Sequence, residues 1–150
     1  MPKRKLLPEP QPPLIATDEA PPCLYLRLRL ASRRLLSLYE TRMAESGVSM
    51  SQFGLLAGIA EEPELTMSRL AEKRELSPST LTRTLKPMEE FGWIEIVAEG
   101  RQRRLRLTRE GRTRLKAAYA GWKQAQAKAA EIVSPKDVER VLRATERLGL

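Results

Sequence analysis

Two runs of side chains between residues 77 and 104 are suited to holding a polyanion. The first is Ser77, Ser79, Thr80, Thr82, Arg83 and Lys86; the second is Arg101, Arg103 and Arg104. Hydroxyls at the start of a helix add donors beside backbone N–H groups that already attract anions. One turn further on, an arginine fork matches the guanine edge bidentately, while arginines at a hairpin tip are drawn to a narrow minor groove. This is the chemistry of recognition, not of turnover. Taken singly, each residue fits a solvated helix face or a basic loop equally well. Their succession, a capped helix running straight into an Arg-tipped hairpin, is what favours a nucleic-acid surface.

Other chemistries find little support. The chain has no histidine, which removes His-dependent triads, His-ligated zinc and imidazole acid–base work. It shows no paired-carboxylate motif, phosphate-binding glycine loop or nucleophile elbow. The reading is therefore of a non-enzyme with no metal and no cofactor. Lys plus Arg total 27 against 19 Asp plus Glu, a formal charge of +8, and such a field favours nucleic acid or an anionic membrane surface. No apolar run approaches the roughly 20 residues that span a bilayer. The basic N-terminus continues into prolines and acids, unlike a secretory leader. A single cysteine, Cys23, forms no internal disulfide, which fits a reducing, cytoplasmic setting.

The elements that must position these residues follow from local signals. Residues 1–22 hold seven of the eleven prolines and read as a disordered, extended tail, in which Lys3, Arg4 and Lys5 are better solvated than bound to phosphate. Residues 23–48 contain a first, dimerising helix over Leu24–Glu45. Its start alternates like a strand (Leu24, Leu26, Leu28, Leu30), but Leu28, Ala31, Leu35, Leu38 and Tyr39 follow at helical spacing, and Gly47 offers a stop. Residues 49–108 form the next unit. Ser49 and Gln52 make a capping box, Thr66 caps a short helix with Met67, Leu70 and Ala71 inward, and Ser77-Pro78 opens a helix buried along Leu81, Leu85 and Met88. Pro87 is expected to bend that helix near its end. Strands over Trp93–Ala98 and Arg103–Leu107 flank a turn at Glu99–Gln102. Residues 109–150 hold a helix capped by Thr108, with Leu115, Tyr119, Trp122 and Ala129 as its core stripe, and a last helix started by Ser134-Pro135 with Asp137 completing a capping box. The class is mainly α with a small β-hairpin wing, a winged helix-turn-helix. The apolar content of the terminal helices exceeds what one small domain buries, which points to a partner.

The segment LSPSTLTRTLKPMEEFGWIE resembles the recognition helix of the MarR family of transcriptional regulators. The wing EGRQRRLRLTREGR is similar to that family's Asp-x-Arg wing leading into a Leu-Thr-x-x-Gly helix start, and SMSQFGLLAGIAEEPELTMSRLAE resembles the two helices before it. The likeness runs from about Leu24 to Leu150. It implies a homodimer interlocked through its N- and C-terminal helices, binding a pseudo-palindromic operator in double-stranded DNA, generally as a repressor. It also implies release by a small organic or phenolic ligand, or by an oxidant. By motif the wing arginine is Arg101 and the carboxylate that braces it is Glu99, a Glu where Asp is usual.

Two switches follow from the resemblance. Some relatives sense peroxides through a cysteine in the first helix. With Ala31-Ser32-Arg33 and Leu38-Tyr39 setting the register, Tyr25 and not Cys23 takes that position, a two-residue offset worth roughly 200° around a helix. The other switch is an effector pocket, for which Tyr25, Phe53, Leu56, Tyr119 and Trp122 are the candidate lining; the same residues would also serve as core. The competing function is a non-specific, chromatin-like nucleic-acid-binding protein, which needs the same charge but no fixed half-site spacing.

Overall fold

A computed structural model describes residues 23–149; the proline-rich segment with Lys3, Arg4 and Lys5, and also Leu150, lie outside them. Six α-helices and one hairpin follow in the order α1 (Leu24–Met43), α2 (Met50–Glu61), α3 (Met67–Lys73), α4 (Pro78–Glu90), β1 (Ile94–Glu99), β2 (Gln102–Leu107), α5 (Arg109–Ile132) and α6 (Pro135–Glu146). The fold is mainly helical with a two-stranded antiparallel wing, as the sequence implies.

Local capping explains most of the boundaries. α1 is one helix in spite of its alternating start, and it passes through a 3-10 turn at Ala44–Ser46 to Gly47 at φ +67°. Ser49 and Gln52 form the full reciprocal capping box. Thr66 accepts from the Arg69 N–H, Ser77 from Thr80 and Thr108 from Gly111, each satisfying a donor left unpaired at a helix start. At α6 the reciprocal half of the box is absent: Ser134 Oγ accepts from the Asp137 N–H and donates to Asp137 Oδ2 at 2.6 Å. Pro87 leaves α4 helical through Glu90, and the Phe91 N–H bonds back to the Pro87 carbonyl at 2.9 Å.

One core joins α2, α3, α4 and the wing. Leu56, Leu65, Leu70, Leu81, Leu85, Met88, Ile94 and Leu105 are fully buried in it, and no polar or charged side chain among the described residues is. β1 and β2 pair in register from Ile94–Leu107 to Glu99–Gln102. Gly100 at φ +60° is the first central residue of the turn, and only that residue takes positive φ, the pattern of a type II′ hairpin. A third short edge closes the wing: the Leu105 N–H donates to the Leu65 carbonyl at 2.9 Å, beside a bridge between Thr66 and Arg104.

The stripe that α5 buries differs from the one its large residues mark. Gly111, Ala118, Gly121 and Ala125 are buried, Leu115 and Trp122 are half-buried, and Tyr119 is exposed. The reason is a close crossing with α1. A Cβ on residue 121 would sit 2.5 Å from the Arg42 carbonyl oxygen, so any residue other than glycine there would force the two helices apart. Across the same contact Tyr39 donates to Gln126 Oε1 at 2.5 Å.

Candidate nucleic-acid interface and the adjoining cavity

The amphipathic pattern of α4 sorts its side chains into two stripes. Leu81, Leu85 and Met88 lie in the core, and Ser79, Thr82, Arg83 and Lys86 are exposed at i, i+3, i+4 and i+7, which places them along one face. Ser77 Oγ gathers a hydroxyl cluster at the helix start, 3.0 Å from Ser79 Oγ and 2.8 Å from Thr80 Oγ1. Thr80 is half-buried, while the Thr82 hydroxyl donates to the Pro78 carbonyl at 2.8 Å. Lys86 approaches Glu90 at 3.8 Å, a loose surface pair of small energetic weight. Arg83 lies in the middle of that exposed stripe.

On the wing the three arginines separate. Arg101 and Arg103 are exposed at the tip. Arg104 is half-buried and lies between two carboxylates: it forms an ion pair with Glu64, and its Nε stands 2.6 Å from Glu99 Oε2. The angle of the second contact does not complete a hydrogen bond, so the Nε–H has no aligned acceptor. Glu99 also reaches Arg106 Nη2 at 3.5 Å. The brace from Glu99 to Arg101 is thus replaced by one from Glu99 to Arg104. On a strand pair the diagonal neighbour lies within reach of a long side chain, whereas Arg101 sits in the turn, where the chain has already reversed.

A cavity of about 890 Å³ opens between α2, β2 and α5, lined in part by Phe53, Arg106, Arg112, Leu115, Lys116, Tyr119 and Trp122. Its aromatic wall is continuous. Phe53 and Tyr119 both stack on Trp122, their ring centroids 5.9 Å and 5.5 Å from its own. Two of the five pocket candidates fall elsewhere. Tyr25 is exposed near the start of α1 and is not among the lining residues, and Leu56 is fully buried in the core. Arg106, Arg112 and Lys116 were missed at the sequence level; alternation along β2 puts Arg106 off the Leu105–Leu107 core face, but nothing local says that a cavity lies there. Cys23 is exposed at the head of α1 and makes no capping bond. Among the described residues no helix is long and apolar enough to cross a membrane.

The model of the MarR family matches residues 46–105, the span from the end of α1 to the wing. The transcriptional regulator MosR of Mycobacterium tuberculosis is similar at 34% identity and TM-score 0.73, with 89% of this chain and 96% of that one covered. The chain belongs to the MarR family. This MarR-family protein is accordingly a DNA-binding transcriptional regulator and not an enzyme. MosR in complex with DNA aligns at 34% identity and TM-score 0.74, covering 85% of this chain and 93% of that one. A further M. tuberculosis MarR-family protein, in complex with salicylic acid, shares the fold at 24% identity and TM-score 0.62, covering 87% and 98%. No curated protein matches the chain.

Proposed function

We propose that the protein acts as a homodimer that binds a pseudo-palindromic operator, represses the adjoining gene, and releases DNA when a small aromatic organic acid or phenol fills the cavity. The observation that carries this reading is the exposed polar stripe of α4 directly upstream of an Arg-tipped wing. In it, Ser77, Ser79 and Thr80 hold backbone phosphate, Thr82, Arg83 and Lys86 enter the major groove, and Arg101 and Arg103 reach the flanking minor groove. Arg104 serves the wing from within.

Unpartnered apolar surface supports the dimer. Leu24, Leu26, Leu28 and Leu30 on α1, Ile132 at the end of α5, and Val138, Val141 and Leu142 on α6 are all exposed. Surface of this kind at both ends of the chain suits a self-complementary two-fold contact. Residues 23–48 and 109–150 then supply the dimer and residues 49–108 the DNA-binding lobe, with half-sites roughly 34 Å apart, one turn of duplex. MosR in complex with DNA and the relative in complex with salicylic acid support the two ligand classes. In the cavity, Arg106, Arg112 and Lys116 meet the acid and the Phe53–Trp122–Tyr119 wall stacks on the ring.

Selection from a random duplex pool followed by footprinting tests the reading. A bounded, symmetric protected site whose protection is lost when salicylate is added is the expected result. Diffuse protection, with any duplex competing equally, would instead indicate a non-specific binder.

A further inference from the structure

The wing by itself is a two-stranded hairpin, and such hairpins are marginal in water unless something else holds them. Here the chain just before α3 does so, through the Leu105 N–H to Leu65 carbonyl bond and the Thr66–Arg104 bridge. Glu64 stands at the end of this edge and pairs with Arg104, the wing arginine that also contacts Glu99. The Arg104 side chain is only 24% exposed, and its two acidic neighbours come from different segments, one on the entry to α3 and one on β1. A largely desolvated guanidinium with carboxylates on both sides fixes the spacing of the segments that carry them. Glu64 also lines the cavity, as does Arg106, the other partner of Glu99.

We propose that Glu64 is a positioning residue for DNA binding: it holds Arg104, and through Arg104 it holds the wing at the angle from which Arg101 and Arg103 meet the duplex. The inference rests on the reading of α4 and the wing as the DNA-contacting surface. It makes a prediction opposite in sign to simple electrostatics. Removing a carboxylate beside a polyanion normally tightens binding; removing this one loosens it, because the wing loses its anchor.

Duplexes enriched from a random pool by the unaltered protein serve as the probe. Glu64→Gln is expected to weaken affinity roughly fivefold, the scale of one lost, partly screened charge pair, with Glu64→Asp recovering part of the loss. Arg104→Gln weakens binding similarly, and the double variant binds no worse than Arg104→Gln alone, since the two residues act as one unit. Without DNA, amide exchange in Glu64→Gln rises across β1 and β2 while the core of α4 keeps its protection. Equal or tighter binding by Glu64→Gln overturns the proposal, as does an additive loss in the double variant. If the unaltered protein enriches no duplex, the DNA-surface reading falls and this inference with it; a selected duplex that Glu64→Gln holds equally well removes only the role of Glu64.

Discussion

Gly111 lies so close to Trp93 that a Cβ on residue 111 would sit 1.9 Å from the Trp93 carbonyl oxygen. The same carbonyl accepts from the Thr108 N–H at 3.1 Å and from the Thr108 hydroxyl at 3.2 Å, and that hydroxyl also donates to the Gly92 carbonyl at 2.6 Å. The Leu-Thr-x-x-Gly signature is therefore the clasp that joins both ends of the wing to the first turn of α5. It fixes the wing against the start of α5 through contacts within the protein alone.

Replacing Gly111 by alanine forces backbone against backbone, with no flexible side chain to give way. Gly111→Ala is expected to cost about 3 kcal/mol, the upper end for overpacking, measured by urea denaturation. A change under about 0.5 kcal/mol, ordinary for a surface site, would show that the clasp is not tight.

Arg83 and Arg101 should fail in different ways. Arg83→Ala is expected to lose about 1–3 kcal/mol of discrimination at one base position and to flatten preference there. Arg101→Ala should weaken all sequences more evenly and lower the salt dependence by about one phosphate per subunit. Binding assays on single-base variants of the selected site at several salt concentrations separate the two.

The dimer can be probed from α6. Leu142 is 56% exposed in the subunit, and Leu142→Glu sets a charge on each side of the proposed two-fold contact. Dimerisation should weaken at least roughly tenfold, visible by sedimentation, and operator affinity should fall with it. A stable Leu142→Glu dimer would place the interface elsewhere.

Trp122 reports on the cavity. Salicylate should quench its fluorescence, and Arg112→Gln with Lys116→Gln should weaken that response roughly tenfold by removing the charges that meet the carboxylate. Salicylamide, neutral and of the same shape, should bind no better to the unaltered protein than to the variant.

Burial raises the pKa of the Tyr39 phenol above its ordinary value. The folded protein then keeps this proton where the unfolded chain has lost it. Its contribution to stability is complete below about pH 10, the unfolded value, and disappears as pH rises through the folded one. Tyr39→Phe should remove that alkaline decline while shifting stability evenly at lower pH through the lost Gln126 contact. Parallel declines in both proteins, followed by denaturant midpoints from about pH 8 to about pH 12, would assign the slope to other groups.

The local signals in this chain were sufficient for most partners within one turn, the incomplete capping box of Ser134 and Asp137 being the exception. Ser49 with Gln52, Thr66 with Arg69, Ser77 with Thr80 and Thr108 with Gly111 are i, i+3 pairs, and the hairpin turn needs only Gly100 and its neighbours. These contacts cost little chain entropy, so residue type and spacing settle them, and with them the element order, the face of α4 and the basic tip of the wing. Three matters required the folded chain. The first is which stripe α5 buries: periodicity marked Leu115, Tyr119 and Trp122, but Ala118, Gly121 and Ala125 are the buried ones, and at Gly121 the backbone of α1 comes too near for any side chain. The second is the partner of Glu99, where the spacing of the wing motif pointed to Arg101 and strand register delivered Arg104. The third is the cavity, where Leu56 sank into the core and residues from α2, β2 and α5 met around Trp122. A helix offers adjacent stripes and a long charged side chain reaches several neighbours; only the packing of segments distant in sequence chooses among them.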